Sequence, residues 1–181
     1  MNTIKFLTKT ALFAVVSTGL FSLSANAQNN KKLTDPEIAS VAVTANKIDI
    51  NYANIALKKS KNSQVIEFAK TMARDHQAVI DQAVALVTKL GVTPKDNATS
   101  QSLKAGEAKT IKLLNSKSGK AFDKAYVDNE VAYHAAVINA VENVLIPDAT
   151  NKELHDLLVS AVPLFNAHLE HAKMIQKNLA K

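Results

Sequence analysis

No cysteine occurs in the 181 residues, no tryptophan either, and glycine and proline number only four each. Without cysteine there can be no disulfide, no thiolate nucleophile or thiolate metal ligand, and no lipid-bearing cysteine behind an export signal. Gly91, Gly106 and Gly119 stand isolated, so no glycine-rich phosphate loop and no Gly-x-Ser-x-Gly elbow exists. Nucleotide and serine-hydrolase readings therefore lack their motifs. Charge of one sign is also scarce: the formal net charge is +6, in a chain with six phenylalanines and three tyrosines. Nucleic-acid binding calls for a concentrated cationic face with stacking aromatics, and the sequence shows no such pattern.

Long apolar runs are missing after the first residues. There, Lys5 and Lys9 precede an apolar stretch from Ala11 to Leu23, and Ala25-Asn26-Ala27 supplies a small-x-small cleavage site. This reads as a signal peptide over residues 1–27, because a stretch of about thirteen residues falls short of the roughly 20 that span a bilayer. Cleavage leaves Gln28 first, no transmembrane helix, and a net charge of +4 once Lys5 and Lys9 are gone. The expected location is the periplasm or the exterior. About 154 residues remain, enough for one domain with a single core.

What is present is helical periodicity. Residues 28–35 read as a polar leader, and the domain is expected over 36–181. Pro36 suits a first helical turn, where its missing N–H has no intrahelical partner anyway. Helix one is expected from there to about Lys59, with Ile38, Val41, Ala45, Ile48, Tyr52 and Ile55 alternating by three and four on one stripe. Asn62 or Ser63 can cap a second helix with the stripe Val65, Phe68, Met72, His76, Val79, Ala83, Leu86 and Leu90, closed by Gly91. Pro94, Asn97 and Thr99 mark a loop, and Leu103 to Leu114 a shorter helix. Another long helix follows Gly119, with Phe122, Val127, Val131, His134, Ile138, Val141 and Leu145 in its stripe and Pro147 at its end. Thr150-Asn151-Lys152-Glu153 reads as a capping box for the last helix. Its stripe is Leu154, Leu157, Ala161, Leu164, His168, Ala172, Ile175 and Leu179, and Pro163 is expected to kink it.

Helices with one apolar stripe each bury those stripes against one another, which predicts an all-α four-helix bundle. The connections at 60–62 and 147–150 are short and make antiparallel hairpins. The middle one, roughly 27 residues with its own short helix, is long enough to travel the bundle's length and start the third long helix at the opposite end. That is the ferritin-like arrangement.

Three of the five histidines, His76, His134 and His168, replace an apolar residue within a stripe, each near its helix's midpoint. A bundle in register brings the three imidazoles to one level, with Asp49 beside the stripe of helix one. Glu130, one turn before His134, and His171, one turn after His168, can face the same layer. Imidazole with carboxylate is the donor set of zinc, copper, iron and nickel sites. The metal ligands expected are thus His76, His134, His168, Asp49 and Glu130, supported by Asp75, Asp123, Tyr126 and His171. A histidine in a stripe is also commonly a core residue satisfied by a neighbour, and Tyr52, Tyr126, Asp75 and Asp123 are available for that. No Glu-x-x-His pair recurs on two helices, so a di-iron carboxylate centre is disfavoured.

The run Ala45-Asn46-Lys47-Ile48-Asp49-Ile50, then Val65-Ile66-Glu67-Phe68-Ala69 leading to Met72-Ala73-Arg74-Asp75-His76, resembles the exported bacterial domain-of-unknown-function family 4142. Phe122-Asp123-x-x-Tyr126 followed by His134, and Pro163 followed by His168, match the family's remaining motifs in the same order. The resemblance covers nearly the whole mature chain. It implies a ferritin-like bundle, an outer-membrane label and no established reaction. Where relatives commonly carry glutamate on helix one, this chain has the shorter Asp49.

Between Lys104 and Lys124 lie six lysines against Glu107 and Asp123. The segment reads as a solvated face or as a contact with anionic envelope surfaces. Two functions follow as expectations. One is a non-enzymatic exported bundle that binds a transition metal in its core; the other is an envelope interaction or stress module whose histidines are structural.

Overall fold

The computed structural model describes residues 32–180; the expected signal peptide and the first half of the expected polar leader lie outside them. The described elements are α1 (Asp35–Lys59), α2 (Ser63–Lys89), α3 (Ala98–Asn115), α4 (Gly119–Ala140), a π-helical turn (Val141–Leu145), the short α5 (Ile146–Asp148) and α6 (Lys152–Leu179). No strand occurs among the described residues. None of these helices is long and apolar enough to cross a membrane.

The ends of the helices show why they start and stop where they do. The Glu37 carboxylate accepts the Thr34 N–H at 2.9 Å and its hydroxyl at 2.7 Å, fixing the entry to α1. Asn62 caps α2 by accepting from the N–H groups of Gln64 and Val65. Gly91 closes α2 with φ +63, and the Val92 N–H reaches back to the Val87 carbonyl. Only glycine takes that left-handed conformation without strain.

Three boundaries differ from the sequence reading. Asn97, expected inside a loop, caps α3 through the N–H groups of Thr99 and Ser100, so that helix begins well before Leu103. Asn151 rather than Thr150 caps α6, accepting from Glu153 and Leu154. Thr150 instead donates its hydroxyl to Asp35 at 2.6 Å, which ties the start of α6 to the start of α1. Pro147 does not end the helix outright: its ring crowds the carbonyl one turn back, and the backbone widens into the π turn over Val141–Leu145 before the last short turn.

α1 and α2 form one antiparallel hairpin and α4 and α6 the other, and these are the two most extensive helix–helix interfaces. α3 is the crossover. Its start is held to α1's start by Asn97 on the Glu37 carbonyl, its middle by Asn51 on Glu107, and its end by Lys59 on the carbonyls of Leu114 and Asn115. It therefore runs parallel to α1 and delivers the chain to the end where α1 finished. There the buried Asp123 of α4 accepts the Ser60 hydroxyl at 2.6 Å. The order is up, down, crossover, down, up, as the long middle connection required.

The apolar core is split in two. One cluster gathers Tyr52, Phe68, Met72, Phe122, Tyr126 and Ile175 among others, and the second gathers Ile38, Val41, Leu145, Leu158 and Phe165 among others. Between them lie Asn46, Asp49, His76, Glu130, His134 and His168, all buried.

Candidate metal centre

Each long helix sends at least one polar side chain into this layer: α1 gives Asn46 and Asp49, α2 gives His76, α4 gives Glu130 and His134, and α6 gives His168. The three imidazole centroids form a near-equilateral triangle with sides of 5.5, 5.2 and 5.5 Å. Phe165 stacks on His76 at 5.5 Å with an 8° interplanar angle, closing that flank with an apolar ring.

The outer hydrogen bonds decide which nitrogen of each ring faces inward. Asn46 donates its amide N–H to the Ala42 carbonyl at 2.8 Å, so its oxygen is the atom turned to His76 Nδ1, 2.7 Å away. Nδ1 thus carries the proton and Nε2 keeps its lone pair. In His134 the Nδ1–H donates to the Glu130 carbonyl at 3.0 Å, which again leaves Nε2 bare. His168 is turned the other way, with Nε2 3.0 Å from Asp75 Oδ2, so its Nδ1 is the bare atom. His76 Nε2, His134 Nε2 and His168 Nδ1 are all buried without a hydrogen-bond partner. A donor from each of the three histidines lies within 4.8 Å of the other two.

Asp49 reaches the layer despite its length: Oδ2 lies 3.5 Å from His76 Nε2 and 3.6 Å from His134 Nε2. Glu130 is fully buried beside it, and Asp49, Glu130 and His134 form a second close group of donor atoms. Two carboxylates in one dry layer cannot both ionise cheaply. Burial pushes Asp49 up to about 7, and burial followed by the Asp49 charge pushes Glu130 well above the usual carboxylate range. Burial acts in the opposite sense on the imidazoles, driving His76 down to about 2 and His134 to about 4. His168 is lowered too, chiefly by burial, against the opposing pull of Asp75. The rings are therefore neutral, the form that coordinates a metal.

The fit to a metal ion rests on this donor set. A tetrahedral zinc-like ion holds nitrogens at about 2.0–2.1 Å, and the three donor nitrogens already lie within 4.8 Å of one another. Their outer hydrogen bonds to Asn46, the Glu130 carbonyl and Asp75 are the supports that ligating histidines ordinarily have.

The other residues named from the sequence fall elsewhere. Asp123 clips the α1–α2 loop to α4 through Ser60 and, seven residues before Glu130, sits roughly 10 Å along the helix from the layer. His171 is half-buried and sets its ring edge-on to Phe68 at 5.2 Å, so it does not join the donor triangle. Tyr126 packs against Phe68 and Phe122 with its hydroxyl buried and unpartnered. Asp75 does support His168, and it is itself held by Arg74 Nε at 2.8 Å. Asn46 lies in the run that carries the family resemblance but is not among the site residues expected from the sequence; its local signal is a polar residue one turn before Asp49, on the buried side of α1.

A family model described as "Domain of unknown function (DUF4142)" matches residues 21–175. Among curated protein sequences none matches. Among solved structures, one described as "CopM in the Cu(II)-bound form" is similar, with a TM-score of 0.62 and 16% identity, over 81% of this chain and 98% of that one. At that identity the likeness is one of fold, a helical bundle.

Proposed function

The chain belongs to the DUF4142 family, whose description names no reaction, and from the geometry of its core we propose that it binds one divalent transition-metal ion. The ligands are His76 Nε2, His134 Nε2 and His168 Nδ1, with Asp49 as the carboxylate and Glu130 next to it. The observation that carries this reading is the set of three inward lone pairs, each left buried and unpartnered by a tautomer that an outer hydrogen bond fixes. Imidazole and carboxylate donors suit copper(II), zinc, nickel or iron(II), and the lack of thiolates argues against a soft monovalent site. The similar structure described as Cu(II)-bound makes copper(II) the first ion to try. In this reading the protein is an exported, ferritin-like bundle that acts outside the cytoplasm by holding the ion and catalyses no reaction.

The test is to purify residues 28–181 without a histidine tag and measure bound metal and its stoichiometry with added Cu²⁺ or Zn²⁺. The expected result is one ion per chain in the wild type and none in His134→Ala. No ion at stoichiometric loading, with no change on adding metal, would overturn the proposal. A second reading would then stand, favoured by the exposed lysines 104, 109, 112, 117, 120 and 124: an envelope-contact module whose histidines only order the core. Binding of the metal-free chain to anionic lipid vesicles would test it.

A further inference from the structure

Of the three histidine donors, two are backed by buried groups and one is not. Asn46 behind His76 is 5% exposed, while Glu130, whose carbonyl backs His134, and Asp49 are both at 0%. Behind His168 stands Asp75, whose side chain is 19% exposed, and beyond it Arg74, 73% exposed, with Nε on Asp75 Oδ1 at 2.8 Å. His168 thus spans the wall of the bundle at the seam of α2 and α6, its outer nitrogen on a carboxylate that meets solvent and its inner nitrogen in the layer. The guanidinium over that carboxylate belongs to the only arginine among 22 basic residues.

We infer that this seam is where the ion enters, with Asp75 as the carboxylate that first engages a divalent cation and Arg74 as the cation that competes for it. This rests on the metal reading above. An incoming cation is drawn to this partly exposed anion that touches the donor set, and the neighbouring guanidinium, charged at every working pH, must yield before that carboxylate is free. Asp75 is engaged on both oxygens, Oδ1 by Arg74 Nε at 2.8 Å and Oδ2 by His168 Nε2 at 3.0 Å, so it joins the exposed guanidinium to the buried ring. His171 is half-buried one turn along α6 from His168, on the same side of the helix.

The measurement is stopped-flow Cu²⁺ binding to the mature chain, read by quenching of intrinsic tyrosine fluorescence. With no tryptophan, the emission comes from Tyr52, Tyr126 and Tyr133, and the Tyr133 ring lies 6.4 Å from that of His134. Arg74→Gln should speed both association and dissociation by about 3–10-fold with Kd held within about twofold, because a gate changes the barrier and neither end state. Asp75→Asn, whose amide oxygen still accepts from His168, should slow association by about threefold or more through loss of the docking charge. Rates unchanged in Arg74→Gln, or association in Asp75→Asn as fast as in the wild type, overturn the entrance while leaving the metal reading intact. Absence of Cu²⁺ binding to the wild type fails the metal reading itself.

Discussion

The Asn46 amide is committed at both ends, its nitrogen to Ala42 and its oxygen to His76, so it cannot flip without breaking two bonds. Replacing it with alanine frees the His76 ring to take either tautomer and should weaken metal binding by about 10–100-fold, as loss of outer partners does in metal sites; competition with a chelator of known affinity would measure it. Protons give a second test. Asp49 keeps its proton up to about pH 7, whereas His76 and His134 are neutral far below their ordinary value. An ion that takes Asp49 as ligand must expel that proton below pH 7, so affinity should fall about tenfold per pH unit from 7 towards 5.5. In Asp49→Asn the same range should be flat. A flat profile in the wild type would remove Asp49 from the ligand set.

Helix ends and helix faces were legible to different degrees. Asn62 and Gly91 punctuate α2 as read, because a cap needs only local chemistry. Thr150 and Asn151 are both good caps by composition, and the choice between them was made by Asp35, which claims Thr150 from across the bundle. Asn151→Ala should therefore destabilise the fold by about 1 kcal/mol in urea unfolding, and Thr150→Ala should act by loosening the α1–α6 junction. The stripe of α6 was read slightly off: Leu158 and Phe165 are core, while Leu157 and Leu164 are half-buried. A stripe with leucines on both borders fits two rotations of the helix, and only the facing α4 and α2 select one. That rotation is also what lays Phe165 flat on His76.

Across the bundle, the polar layer interrupts what would otherwise be one continuous core, and five ionisable side chains are buried there. Such a layer is costly, since buried polar groups without partners destabilise and apolar replacements are often neutral or better. Glu130→Leu should raise the melting temperature of the metal-free protein, by roughly 1–2 kcal/mol of stability, while lowering affinity for the ion. Conversely, Cu²⁺ or Zn²⁺ at a hundredfold excess over Kd should stabilise the wild type by about 2.7 kcal/mol. Calorimetry with and without metal checks both. A Glu130→Leu variant less stable than the wild type would mean that the layer contributes more to the fold than to binding.

By itself the sequence determined that the chain is all-helical, where most helices begin and end, and that three histidines occupy apolar positions, because periodicity, caps and glycine conformations act over a few residues. It also sets the length of the crossover, and with it the order of the helices. Only the tertiary structure decided that Asp49 reaches the histidines, that Asp123 and His171 do not join them, and which nitrogen of each ring looks inward. Those outcomes depend on helix rotation and on hydrogen bonds between residues 30 and 93 positions apart, which no local pattern records.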